Sequence, residues 1–375
     1  MKILQVFKLY SPDRGGIVSV MEAIVTGLGN SVEQIILVSR HQGWGSRELR
    51  NGTTVLRSFS LGTLFALPLA PLLPLWFWWY ARKVAVVDYH FPFPLVDLAV
   101  ALWFPKRTAL VIHWHSEIVQ QRRLAQLIGP LIKRCLARAD RIIVATPQHI
   151  SQSSYLMQHA QKCVVVPFGL RQEDWLLSDP TEITKFNALR EQRPRLILAV
   201  GRLVPYKGFT VLLDAMKSIE ATLLIVGSGP LETNLKERAA NNNVTARVQF
   251  LGDVPQSELR ILMHMARMLV MPSIGNNETF GLVQLEAMAC GKPIVNTALP
   301  TGVPWVARHE QEALTVPPGN VAALAQAIQF FLDNPEQAIA YGERGRQRLQ
   351  QTFDDKLFCE QTLAVYDQAR CLRNT

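Results

Sequence analysis

The sequence predicts an α/β protein made of two doubly wound parallel-sheet, Rossmann-like domains. Three observations carry this prediction: apolar runs rich in Val, Ile and Leu alternate with helical patterns, the alternation occurs twice, and a polar segment separates the two occurrences. Such alternation marks strand–helix–strand units whose sheet is covered on both faces. At 375 residues the chain also exceeds one comfortable core, since domains hold about 100–200 residues.

In the first half, strands are expected at Lys2 to Phe7, Gln34 to Ser39, Val84 to Tyr89, Ala109 to His113, Arg141 to Ala145 and Lys162 to Val166. The second half restarts with Arg195 to Val200, followed by Thr222 to Val226, Val248 to Leu251, Leu269 to Met271 and Pro293 to Asn296. Between them Gly169 to Pro194 is polar and lacks sustained alternation, so it reads as the linker. The C-terminal region from about Pro335 to Arg373 is helical with a break near Gln351 to Asp355. The domains are therefore set at 1–185 and 186–355, with a closing helix at 356–375.

Nearly half of the residues are apolar and 18% are charged, a balance that excludes a disordered chain. The net charge of +9 is concentrated early: residues 1–185 hold 20 Lys/Arg against 12 Asp/Glu, and the remainder 19 against 18. That field favours anionic partners such as phosphates or an acidic membrane surface. Nucleic acid is not expected, because no helix-turn-helix, zinc-finger or aromatic stacking pattern accompanies the basic residues. Five cysteines stand singly, without a C-x-x-C pair, and read as reduced thiols. The opening MKILQVF is strand-like and lacks the features of a secretory signal, which points to the cytosol.

Leu61 to Tyr80 is twenty residues without a charge, long enough to cross a bilayer. Pro68, Pro71 and Pro74 argue against a span, because each removes a backbone donor that lipid cannot replace. Two other readings stay open: a loop with a buried helix, or an aromatic patch at the membrane interface with Arg82 and Lys83 beside headgroups. Arg122 to Arg141 sets Lys133, Arg134, Arg138 and Arg141 beside an apolar stripe, a pattern that suits both an anionic lipid surface and an ordinary surface helix of a Rossmann-like domain.

Parallel sheets bind ligands at the carboxyl ends of their strands, so residues that follow strands and open helices are the candidates. Gly15 and Gly16 follow the first strand; an anion loop and an ordinary turn both account for the pair. His113-Trp114-His115 ends the fourth strand, and a histidine there can present a donor to a bound sugar. Metal ligation is not expected, for want of a third ligand at useful spacing. In the second half, Gly201-Arg202-Leu203-Val204-Pro205-Tyr206-Lys207-Gly208 places two cations in one turn, where they suit a diphosphate. Gly227-Ser228-Gly229 resembles a dinucleotide loop but lacks the third glycine, which disfavours hydride transfer. Pro272 to Pro293 holds Glu278, then Phe280-Gly281-Leu282 at a helix start and Glu286 within that helix. Free helix N–H groups suit an anion there, and two carboxylates suit sugar and ribose hydroxyls.

Together these residues resemble glycosyltransferase family 4, the retaining GT-B enzymes whose two domains face each other across a cleft. The Glu-x7-Glu motif is met by Glu278 and Glu286, and the preceding Arg and Lys pair by Arg202 and Lys207. By that resemblance Arg202 and Lys207, with Gly201 and Gly227 nearby, bind the diphosphate of a nucleotide-sugar donor. Glu278 and the Phe280-Gly281-Leu282 backbone would meet the transferred sugar and phosphate, and Glu286 the ribose. Gly15, Gly16 and His115 would face them from the acceptor domain. His115, Arg202, Lys207 and Glu278 are thus the implied catalytic group, with no metal and no cofactor beyond the nucleotide sugar.

The phrases WHSEIVQQ and RLVPYKGF are similar to bacterial polysaccharide and O-antigen mannosyltransferases, which favours GDP-mannose as donor. A glycan or polyprenyl-linked oligosaccharide is the implied acceptor, at the inner face of the cell membrane. Those relatives carry Asp at Glu117 and a His-x-His-x-Pro-x-Pro pattern where this chain has DYHFPFP, so His90 matches while Asp88 and Phe93 depart. A UDP-sugar donor, a sugar-nucleotide epimerase and a non-catalytic nucleotide-sugar subunit are the alternatives. Donor preference, product analysis and turnover, respectively, separate them from the leading reading.

Overall fold

A computed structural model describes the chain except residues 14, 51, 65–66, 117–121, 178, 180, 182, 185–194 and 375, and the side chains of 30, 122–127 and 374. It divides into two compact units, Met1–Gly169 with Asp355–Thr375, and Leu170–Asp354. The change of unit thus falls at 169/170, ahead of the expected 185/186, which lies outside the described residues. The final helix, Asp355–Asn374, is an integral part of the first unit.

The first unit is built on eight strands: β1 (Lys2–Val6), β2 (Glu33–Ser39), β3 (Ser46–Arg50), β4 (Thr53–Ser58), β7 (Val86–Phe91), β8 (Ala109–Trp114), β9 (Arg141–Val144) and β10 (Cys163–Val165). Two short strands, β5 (Thr63–Leu64) and β6 (Leu67–Pro68), form a separate ribbon. The sheet order is β10-β9-β8-β7-β1-β2-β4-β3, parallel except for the antiparallel edge strand β3. The hairpin β3–β4 was not anticipated, because Arg47, Glu48 and Arg50 make β3 a charged, exposed edge without an apolar face.

Strand alternation sorts this sheet into two different faces. Val87, Tyr89, Phe91, Leu110, Ile112 and Trp114 join an apolar cluster with the helices Leu73–Ala81, Pro94–Trp103 and Arg122–Arg138. Asp88, His90 and His113 alternate with them, and the final helix covers that polar side: the Tyr366 hydroxyl donates to Asp88 Oδ2 at 2.6 Å and Phe358 lies against His113.

The helix Arg122–Arg138 sends Ile128, Ile132, Cys135 and Leu136 into the core, so its apolar stripe is not free for lipid. Arg138 pairs with Asp140 at 3.2 Å, and Arg141 donates to the Asp140 carbonyl, so these two basic residues serve the fold, while Lys133 and Arg134 are exposed. Leu61 to Tyr80 is not one span: the helix Leu73–Ala81 has nine residues. Among the described residues no helix is long and apolar enough to cross a membrane.

The second unit carries β11 (Leu196–Val200), β12 (Thr222–Val226), β13 (Val248–Gly252), β14 (Met268–Val270), β15 (Ile294–Thr297) and β16 (Ala313–Val316). The order is β13-β12-β11-β14-β15-β16, all parallel. The chain winds outward from β11 to β13, then returns to the other side of β11 at β14. The boundary between β11 and β14 is therefore the switch point, and the loops leaving those two strands diverge to form a ligand crevice.

Candidate active site

In the second unit, both loops at the β11–β14 boundary carry the residues singled out in the sequence. The first runs from Gly201 through a 3-10 turn at Pro205–Lys207 to Gly208. The second runs from Pro272 to Leu282, where the helix Val283–Ala289 begins. They are bonded together: Ile274 N–H donates to the Tyr206 carbonyl at 2.7 Å and Gly275 N–H to the same oxygen at 3.3 Å. Gly208 sits in the left-handed region at φ 69°, where any Cβ would drive into the Pro272 carbonyl. Gly227 closes on Gly201 in the same way, which packs the β12 loop against the β11 loop.

Lys207 and Glu278 form an ion pair through Nζ and Oε2, with side-chain exposures of only 14% and 10%. Ser273 Oγ donates to the same carboxylate oxygen at 3.2 Å, and the Thr301 hydroxyl donates to the Glu278 carbonyl at 2.7 Å. Arg202 is exposed and makes no ion pair with a described residue. Glu286 lies in the first turn of the helix Val283–Ala289. Burial pushes its carboxyl up to about 7, against a smaller opposing pull from Lys207. The unit therefore brings together an outward guanidinium, an ammonium held by a carboxylate, and a second carboxyl poised near neutrality. Phe280 is buried against Phe353, while Leu282 is half-buried immediately before the helix.

In the first unit, Gly15 precedes and Gly16 begins the helix Gly16–Leu28 directly after β1. His115 follows β8, next in order beyond β7, the strand across the switch point from β1. It is 5% exposed, and its Nε2 is 2.9 Å from His90 Nδ1. Burial, then the neighbouring His113 and His90, hold its pKa well below the ordinary histidine range, so the ring is neutral. No third ligand stands at useful spacing from His113 and His115 in the sequence, yet in space Asp88, His90 and His113 gather with potential ligand atoms within 4.8 Å of one another. His90 and His113 are register partners, which chain spacing does not reveal. Ser273, Thr301 and Tyr366 were also unforeseen, since single hydroxyls belong to no local pattern.

The family described as Glycosyl transferases group 1 matches residues 180–348, and that described as Glycosyltransferase Family 4 matches residues 14–173. The chain is 35% identical over 275 residues to the D-rhamnosyltransferase WbpZ of Pseudomonas aeruginosa, covering 73% of this chain and 71% of that protein. It is 32% identical over 268 residues to the O-antigen chain mannosyltransferase C of Escherichia coli, covering 72% and 71%. Among solved structures, sucrose-phosphate synthase from Thermosynechococcus elongatus shares the fold with a TM-score of 0.82 at 24% identity, covering 99% of both chains. Anabaena Alr3699/HepE in complex with UDP-glucose does so with 0.78 at 19%, covering 98% of this chain and 99% of that one. Two Rossmann-like units of the GT-B class and these sequence matches define a glycosyltransferase. The chain belongs to glycosyltransferase family 4.

The pairing of Lys207 with Glu278 sets a stability test. Lys207→Ala strands a mostly buried carboxylate and is expected to cost about 3–5 kcal/mol. Lys207→Met combined with Glu278→Gln removes both charges and should recover most of that loss. Urea unfolding measures both; a double variant as unstable as the single one refutes the pairing.

Proposed function

We propose that this enzyme transfers a hexose with retention of configuration from a nucleoside diphosphate sugar to a lipid-linked oligosaccharide, in O-antigen or related cell-surface polysaccharide assembly. The observation that carries the reading is the grouping of Arg202, Lys207, Glu278 and Glu286 around one switch point. A departing nucleoside diphosphate develops negative charge, and a guanidinium with an ammonium offers fixed positive charge to meet it. Catalysis in this reading needs no metal, because the cation pair does that work. Glu278 and the Phe280-Gly281-Leu282 backbone face the transferred sugar and phosphate. Glu286 accepts the two ribose hydroxyls, and their donation favours its ionised form. Gly15, Gly16 and His115 serve the acceptor side.

GDP-mannose is the proposed donor, supported by the similarity to an O-antigen chain mannosyltransferase. A UDP-sugar is the second reading, favoured by the fold shared with a solved UDP-glucose complex. A thermal-shift panel of GDP-mannose, GDP, UDP-glucose and UDP decides between them. A donor at a hundredfold excess over its Kd stabilises the protein by about 2.7 kcal/mol. The expected result is a shift with GDP-mannose and GDP that Glu286→Ala largely abolishes. A shift with UDP compounds alone replaces mannose, and an undiminished shift in Glu286→Ala removes the assigned donor site.

Membrane contact is proposed through the segment 61–83. Leu61, Leu64, Leu69, Leu72, Leu75 and Trp79 are exposed on it. Arg82 stands 4.6 Å over Trp78 and Lys83 4.1 Å over Trp79, which sets cations beside the apolar surface as an anionic bilayer requires. In vesicle flotation the protein should partition onto phosphatidylglycerol vesicles, with Leu75→Ser/Trp79→Ser reducing binding on the order of tenfold. Equal binding by the double variant contradicts this surface.

A further inference from the structure

The polar face of the first sheet presents a physical problem. Asp88, His90 and His113 are fully buried. Among the described residues neither ring nitrogen of His113 has a hydrogen-bond partner, nor do His90 Nε2 and Asp88 Oδ1, although His90 Nε2 and His113 Nδ1 both lie within ion-pair reach of Asp88 Oδ2. A buried polar atom left unpaired costs about 1–3 kcal/mol, so four in one cluster call for a compensating interaction.

The distances indicate what kind. Asp88 Oδ2 is 3.4 Å from His90 Nε2 and 3.7 Å from His113 Nδ1. Both exceed a well-formed N–H···O hydrogen bond. The shorter equals, and the longer slightly exceeds, the edge of a tetrahedron with metal–ligand bonds of about 2.0–2.1 Å, which is about 3.4 Å, and all the potential ligand atoms lie within 4.8 Å of one another. We propose that Asp88, His90 and His113 bind a divalent first-row transition metal of the zinc class, at a structural site separate from the proposed donor chemistry.

The surroundings suit such a site. His90 uses Nε2 toward the cluster and engages His115 Nε2 with Nδ1 at 2.9 Å, the type of outer contact that fixes a ligand's tautomer. Tyr366 donates to Asp88 Oδ2 at 2.6 Å, which orients the carboxylate from the final helix. Imidazole and carboxylate donors suit zinc, iron(II) and nickel more than magnesium or calcium. The ion would join β7 to β8 through direct ligands and tie the final helix to both through Tyr366.

The test begins with full-length protein purified without chelator, desalted and analysed for metal by mass spectrometry. About one equivalent of zinc, iron or nickel per chain is expected. After dialysis against EDTA, added zinc chloride at a hundredfold excess over its Kd should raise Tm by roughly 5 °C or more. Cobalt(II) in its place should give the visible absorption of a tetrahedral site. His113→Gln and Asp88→Asn should each lose the metal and the zinc-dependent shift. Wild-type protein that holds less than about a tenth of an equivalent and does not respond to zinc or cobalt overturns the proposal. So does metal retained unchanged in both variants.

Discussion

The pairing of β11 with β14 is the constraint on which the second unit's chemistry depends. These strands are adjacent in the sheet although β12 and β13 separate them in the chain, so their loops leave the same edge and diverge. Hydrogen bonds from Ile274 and Gly275 to Tyr206 then lock one loop to the other. Only because of that lock does Lys207 on the first loop meet Glu278 on the second. The ion pair holds both side chains in place, and the nearby glycines let the backbones approach closely enough for it to form.

The first unit solves a different problem on the same type of sheet. One face is apolar and packed by helices from within the unit's own run of sequence, while the other is apolar beneath the helix Gly16–Leu28 and carries Asp88, His90 and His113 where a helix from the far end of the chain covers it. A fully apolar helix face over those residues would leave their polar atoms less satisfied still. Tyr366 answers Asp88, and the final helix also anchors itself by Arg373 to Asp140 at 2.6 Å. That arrangement makes residues 355–374 part of this unit's core despite their position in the sequence.

Features encoded locally were legible in the sequence. Thr222–Val226 and the start of β1 were placed correctly because continuous apolar runs leave little choice of structure. The pair Arg202 with Lys207 and the pair Glu278 with Glu286 were each legible for a similar reason, since each falls within a single loop or loop–helix segment, whereas their meeting across the β11–β14 boundary was implied by the family resemblance alone. What escaped was non-local. The four-residue edge strand β16 is too short for periodicity to register, and β3 lacks an apolar face. The cluster of Asp88 and His90 with His113 depends on β7–β8 register, and the membership of the final helix in the first unit depends on tertiary packing. The apolar stripe on Arg122–Arg138 suited both lipid and an ordinary surface helix, and Ile128, Ile132, Cys135 and Leu136 pack into the core, since periodicity tells that a face is buried and not what buries it.

The central claim is that the cations at the β11–β14 boundary stabilise a departing nucleoside diphosphate, and Arg202 tests it most directly. It is exposed and makes no ion pair with a described residue, so its replacement leaves the Lys207–Glu278 pair and the fold in place. Steady-state kinetics of Arg202→Ala with the donor identified by binding should show kcat lowered about a hundredfold or more, with acceptor KM little changed. A kcat equal to that of the wild type would contradict the account.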